Sequence, residues 1–269
     1  MSRARPGAAL PARAVWVAAG LAGALPLARA DQPLWEAGLG VGLLRLPHYR
    51  GSDQSRNWVL PVPYVVYRGD IIKADREGAR AVLFDTERLD FDVSVAATAP
   101  TRSDQNDARQ GMPDLAATFE LGPNLNLTLA RGAAWKLQLR APLLGALTLE
   151  SNPQMIGWLA SPNLNLDTKV NGWNASLLAG PVFGSRSFNG YYFDVAPQFA
   201  TPSRPSYSAP GGFGGWRLLA STSRHFGMFW MGGFITADTV SGAVYDNSPL
   251  VRKHGTLAFG FAMSWVFAT

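Results

Sequence analysis

From residue 35 onward, large apolar residues recur at every second position. Trp35, Ala37, Leu39, Val41 and Leu43 share one parity, and Glu36, Gly38, Gly40 and Gly42 the other. Leu89, Phe91, Val93, Val95 and Ala97 alternate with Asp90, Asp92, Ser94 and Thr98, and Trp135, Leu137 and Leu139 with Lys136, Gln138 and Arg140. Tyr191, Phe193, Val195 and Phe199 oppose Asp194 and Gln198. Period two places such sets on opposite faces of a sheet. The last run is the cleanest: Leu257, Phe259, Phe261, Met263, Trp265 and Phe267 oppose Ala258, Gly260, Ala262, Ser264 and Val266. Large groups on one face and small ones on the other suit lipid outside and a tight interior.

The alternation predicts twelve strands, at 35–46, 57–68, 70–84, 88–99, 115–130, 133–149, 154–169, 172–183, 189–199, 212–224, 227–239 and 255–267; ten or fourteen also fit. An even number is what a single-chain bacterial barrel needs. The fold class is all-β, one antiparallel transmembrane barrel over 31–269. The run 115–130 is long enough that Gly122-Pro123 is a candidate break. Arg76-Glu77-Gly78 in the centre of 70–84 is a candidate turn. Pro61 and Pro63 weaken one ladder of their strand, which predicts a locally unpaired or bent segment. Longer connections fall at 47–56, 100–114, 200–211 and 240–254, where Pro, Ser, Gly and Asn collect.

The first thirty residues differ in kind. Arg3, Arg5 and Arg13 precede an uncharged run from Ala14 to Leu27, and Ala28-Arg29-Ala30 follows as a small-x-small site. This is the pattern of a secretory signal peptide over 1–30, with the mature chain starting at Asp31. Fourteen apolar residues are too few for a spanning helix, which needs about 20. The segment also changes the charge reading. The full chain is +5, but without those four arginines 20 basic and 19 acidic residues remain, and no basic stripe persists for a nucleic-acid partner.

Catalytic constellations are absent from the sequence. There is no cysteine, hence no disulfide framework, thiolate metal site or cysteine nucleophile. His48, His225 and His254 stand far apart, and no GxSxG, P-loop or HExxH occurs. The sequence therefore points to no catalytic residue, no cofactor and no metal. The densest polar cluster is Arg68, Asp70, Lys73, Asp75, Arg76, Glu77 and Arg80. Charges of both signs are what a narrow polar lumen requires, because an unpaired charge there is costly. Adjacent residues cannot both face inward, so one parity is chosen: Arg68, Asp70, Arg76 and Arg80 are the candidate lumen or partner-contact residues.

Several motifs stand in order: Trp35-x-x-Gly-x-Gly-x-Gly, Pro47-x-Tyr49-x-Gly51-Ser52-Asp53-Gln54, Leu60-Pro-Val-Pro-Tyr64-x-x-Tyr67-Arg68-Gly69-Asp70, Ala74-Asp75-Arg76-Glu77-Gly78 and Ala108-Arg109-Gln-Gly111-Met112-Pro113-Asp114-Leu115, then Gly122-Pro123. The chain resembles the MipA/OmpV family, the MltA-interacting proteins. The resemblance implies an outer-membrane barrel, partnered by outer-membrane lipid. It also implies a non-enzymatic scaffold joining a lytic transglycosylase to a murein synthase in peptidoglycan remodelling. A small-solute, porin-like channel is the alternative, and a homo-oligomer is left open. One departure is that the chain continues past Phe267 with Ala268 and Thr269.

Overall fold

A computed structural model describes residues 35–268 apart from 69–71, 76–77 and 87, and between 67 and 85 it describes the backbone alone. The signal-peptide reading of 1–30 lies outside the described residues. The strands are β1 (Trp35–Pro47), β2 (Ser55–Arg68), β3 (Ile72–Asp75), β4 (Gly78–Asp85), β5 (Leu89–Thr98), β6 (Thr118–Arg131), β7 (Trp135–Thr148), β8 (Met155–Ala160), β9 (Asn163–Val170), β10 (Trp173–Gly184), β11 (Gly212–Phe226), β12 (Phe229–Thr239) and β13 (Gly255–Ala268); one helix, α1, spans Arg186–Phe193. All ladders are antiparallel. β13 pairs with β1 from Arg45↔Phe259 to Ala37↔Ala268, which closes the sheet into a barrel. β8 and β9 both pair with β7 on one side and β10 on the other, so they share one place in the wall and thirteen strands fill twelve positions.

The count of twelve is as the alternation predicts, but two differences offset each other. The single strand expected over 70–84 is a hairpin, with Asp75 paired to Gly78 across the turn. The strand expected over 189–199 is α1 and a 3-10 turn at Pro197–Phe199. Ser185 caps α1, its side chain accepting from the Phe188 N–H, and Asn189 and Phe193, four apart, turn inward. The period-two apolar pattern there belongs to a loop that packs on other loops. The run from Leu115 also divides differently. Leu115 bridges to Thr101 outside the wall, while β6 continues unbroken through Gly122 and Pro123.

Faces follow parity. Leu39, Val41, Leu43, Leu121, Leu125, Leu127, Phe259, Phe261 and Met263 are exposed on the outer surface. Gly38, Gly42, Asn124, Asn126 and Ser264 face the buried interior. This inverts a soluble fold and matches a wall whose exterior solvent is lipid. The outward row from Leu257 to Phe267 spans about 26 Å at ~3.4 Å per residue and a tilt of ~40°, close to a hydrocarbon core.

The two mouths differ. At the mouth holding both chain ends, strands are joined by tight turns such as Asn171-Gly172, both at positive φ, as a two-residue hairpin requires. At the other mouth lie the long connections 48–54, 99–117, 185–211 and 240–254. Short periplasmic turns and long outer loops are the usual polarity of such barrels.

One stretch of wall is incomplete. β2 pairs with β1 from Ser55 to Tyr67, yet with β3 only at Tyr67 and Arg68. β5 pairs with β6 from Leu89 to Thr98, yet with β4 only as far as Val93. Among the described residues, the upper part of β2 and of β5 therefore carries no ladder on the edges that face each other. Pro61 and Pro63 lie on this part of β2. Their ladder to β1 is continuous, so the missing N–H groups belong to the free edge. The sequence expectation of an unpaired segment thus holds for one edge of the strand.

Candidate functional site

The long outer loops fold into a roof with its own apolar core: Tyr49, Leu115, Phe193, Val195, Val240, Tyr245 and Leu250 are buried together with Ala209 and Ala243. Phe193 and Tyr245 stack with ring centroids 3.8 Å apart and 13° between planes, and Tyr49 meets Phe193 edge-on. Phenol groups tie the loops to backbone: Tyr49 Oη donates to the Leu250 carbonyl at 2.8 Å and Tyr245 Oη to that of Gly214 at 2.9 Å. The buried guanidinium of Arg109 donates to the carbonyls of Tyr192 and Pro113, both at 3.1 Å. Asn106 Nδ2 lies 2.9 Å from His48 Nδ1, and Thr101 Oγ1 donates to the His48 carbonyl at 2.7 Å. The segments 47–54 and 108–115, which carry two of the ordered motifs, therefore meet in this roof. Burial pushes the Tyr49 phenol up to about 12. Burial lowers the His48 pKa, with Arg56 adding to the effect.

Toward the other mouth, paired polar side chains line the lumen. Asp92 accepts from Asn126 Nδ2 at 2.8 Å and Asn124 Nδ2 at 3.3 Å. Asp167 accepts from Asn165 Nδ2 at 2.7 Å and Arg140 Nη2 at 3.0 Å, and Arg140 also reaches Gln138 at 2.9 Å. Tyr64 Oη donates to Glu36 at 2.9 Å and lies 3.0 Å from His225 Nε2. Gln138, Asn165 and Asp167 are at most 2% exposed. Buried polar groups persist in such a place only when hydrogen-bonded.

Between roof and network lies a chamber of about 330 Å³, within the range of small-ligand pockets. Its walls are inward residues of the strands, Trp58, Leu159, Val182, Leu219 and Phe234 among them, and the roof contributes Phe188, Tyr192 and Phe193. Five charged groups line it: Arg50 from the β1–β2 loop, Arg56 at the start of β2, Glu120, Arg217 and Asp238. Arg217 forms a two-bond fork with Asp238 at 2.9 and 3.0 Å. Arg50 Nε stands 3.5 Å from Asp238 and has no hydrogen-bond partner among the described residues, while Arg50 Nη2 makes a long 3.4 Å bond to the Trp216 carbonyl. Burial lowers the Arg50 pKa and the nearby Asp238 opposes that.

The cluster singled out in the sequence sits elsewhere. Arg68 pairs with Lys73 and Lys73 with Arg80 across β2, β3 and β4, at the parity of the inward Tyr64 and Val66 in β2. Asp70 and Arg76 lie outside the described residues. Alternation alone does not single out Arg50, Glu120, Arg217 or Asp238. The one sequence signal for the chamber is the motif around Tyr49, which contains Arg50. Among the described residues no group of His, Asp and Glu could hold a metal ion.

The family described as MltA-interacting protein MipA matches residues 39–267. The chain belongs to that family. No curated protein matches the sequence. Solved structures similar to the chain include a bacterial polysaccharide outer membrane secretin (10% identity, 86% of this chain and 98% of that one, TM-score 0.48). The COG4313 outer membrane channel from Pseudomonas putida F1 is 11% identical over 90% of this chain and 100% of its own, with TM-score 0.44. The CymD monoaromatic hydrocarbon channel is 9% identical over 88% and 89%, with TM-score 0.33. The MipA-family chain is an outer-membrane protein built as a single β-barrel.

Proposed function

We propose that the protein is a closed, non-enzymatic barrel that serves as a docking scaffold for murein remodelling, with a lytic transglycosylase as first partner and a murein synthase as second. The observation that carries the reading is closure at two levels. Two polar clusters, one around Asp92 and one around Asp167 and Arg140, crowd the lumen, and the roof core built on Tyr49, Phe193 and Tyr245 packs over the outer mouth. A barrel closed in this way acts through its surfaces. The family description, an MltA-interacting protein, supports the choice of partner. The partner would meet the mouth of short turns, which faces the murein layer. Arg68, Asp70, Arg76 and Arg80 remain the proposed lumen or partner-contact set, and export with removal of 1–30 belongs to the same reading.

The test has two arms. Purified mature protein in planar bilayers is expected to show no reproducible open single-channel steps, and immobilised protein is expected to retain an MltA-type transglycosylase from solution. Large, regular conductance steps would overturn the closed scaffold. They would favour the second reading, a small-solute channel, for which the observed chamber is the supporting feature. Failure to retain the transglycosylase would remove the partner assignment.

A further inference from the structure

We propose that the chamber binds an organic monocarboxylate with a short apolar body, and that this ligand enters sideways from the membrane through the window between β2 and β5. This goes beyond the scaffold reading and stands whether or not that reading holds.

The charge argument comes from how the five charged groups are used. Arg56 lies over the Trp58 ring and donates to Gln105. Both carboxylates of the chamber serve Arg217: Asp238 holds it in the fork, and Glu120 lies within its electrostatic reach. Arg50 is left with one 3.5 Å approach to an already engaged carboxylate, one long bond to a carbonyl and an Nε without a hydrogen-bond partner. A buried guanidinium with idle donors is a site for an anion, and a carboxylate matches its planar fork. The remaining lining is largely aliphatic and aromatic, from Trp58, Leu159, Val182, Phe188 and Phe234. It calls for a hydrocarbon body behind the carboxylate rather than a second charge.

The route argument comes from the wall. The edges of β2 and β5 that carry no ladder among the described residues border the chamber. Trp58 on β2 lines it, and so do consecutive residues at the end of β5, of both parities, from Ala96 to Thr98. The window has a frame. Above, Arg56 Nη1 donates to Gln105 at 3.2 Å and Gln54 Nε2 to Asp107 at 3.0 Å, tying the start of β2 to the β5–β6 loop. Below, the β3–β4 hairpin joins the two strands. The exposed Arg45–Asn57 pair marks the polar boundary on the outer surface, and the exposed Val59 and Val65 lie below it in the apolar belt. Unpaired backbone in lipid is costly. Pro61 and Pro63 lessen that cost by removing two donors from the free edge. The roof core packs over the outer end of the chamber and polar clusters crowd the lumen below it, which favours the window as the way in.

The experiment uses the mature full-length protein in lipid nanodiscs, with decanoate as probe, decan-1-ol as its neutral counterpart and empty nanodiscs subtracted. Decanoate is expected to bind saturably, and decanol at least about tenfold more weakly, the loss expected for one charge-assisted contact. Arg50→Gln should bring decanoate down to the level of decanol, and Arg50→Lys should restore part of the difference. Ala258→Phe, which fills the chamber from β13, should abolish both. Ala97→Trp places an indole at the free edge of β5. It should slow association and dissociation alike by about tenfold while keeping the acid-over-alcohol preference. Absence of saturable decanoate binding, equal binding of acid and alcohol, or full binding by Ala258→Phe would overturn the ligand assignment. Unchanged rates in Ala97→Trp would overturn the lateral route. If Arg50→Gln does not fold, the acid–alcohol comparison in the unaltered protein and the Ala258→Phe variant decide the matter.

Discussion

Phe261→Asp tests which face of the wall meets lipid. Phe261 pairs with Leu43 on β1 and Gly233 on β12, and its side chain is 48% exposed on the outer surface. Counting four residues from Leu257 at ~3.4 Å with a tilt of ~40° puts it about 10 Å below the outer end of the apolar row, near the midplane. Two effects add there. Removing the phenyl ring from an apolar environment costs roughly 1.5–3 kcal/mol. Placing a carboxylate at the midplane costs up to about 2 kcal/mol more. The expected loss is thus about 1.5–5 kcal/mol, toward the upper end if the carboxylate sits at the midplane, measured by denaturant unfolding in phospholipid vesicles with electrophoretic mobility of the unheated protein as the folded-state readout. Leu257→Asp, at the interface, should lose about 2 kcal/mol less, because the carboxylate reaches water there. The reasoning fails if the two variants unfold within about 0.5 kcal/mol of each other, a difference typical of featureless surface changes. It also fails if Phe261→Asp folds and partitions like the parent.

Asp167→Ala removes the shared acceptor of Arg140 and Asn165 in a nearly dry lumen. It should cost about 3 kcal/mol or more in thermal or denaturant unfolding, whereas Asp104→Ala, in an exposed pair with Arg102, should change stability by less than about 1 kcal/mol. His48 is held neutral by burial, its pKa below the ordinary 6.5. The unfolded chain therefore binds the proton first, and roof stability, read by limited proteolysis of the outer loops, should fall as pH drops below 6.5 toward the depressed value. His48→Gln should flatten that dependence. For Tyr49 the sign is opposite: folded protein should lose stability as pH rises above 10.0 and approaches about 12, and Tyr49→Phe should remove that contribution. A methyl group on Gly40 would meet the Met263 carbonyl and the Ser264 side chain, so Gly40→Ala should yield little folded barrel on unheated gels. Intact-mass measurement of envelope protein should give a chain starting at Asp31.

How far the molecule could be read from its sequence depends on which force shaped each part. Lipid outside and a crowded lumen inside force strict alternation, so β6, β7 and β13 are legible residue by residue, down to small Gly38 and Gly42 facing inward. The segment 189–199 misleads because Tyr191, Phe193 and Val195 alternate by coincidence. Their partners are Tyr49, Tyr245 and Leu250 from distant loops, and packing in the roof, not backbone propensity, decides for a short helix. The helix start was present in the sequence as Ser185, whose capping role becomes evident only once Phe188 is known to be helical. Pro61 and Pro63 announce an irregular edge, but which edge is free depends on the short reach of β3 and β4. The chamber is the least legible part. Arg50, Glu120, Arg217 and Asp238 come from four separate stretches, and only closure of the wall brings them into one space.

The pairing of β1 with β13 also sets the order in which the molecule can be made. Residues around Leu39 find their permanent neighbours around Trp265 only after nearly the entire chain has been synthesised and has crossed the inner membrane. Until then the first strand has one stable edge at most, and the loop to be closed is almost as long as the protein. Its closure entropy rises only slowly with length, so the seam is reachable, but contacts this remote in sequence form late and slowly. Until the final strand arrives, the apolar first strand keeps an open edge that could pair with another chain.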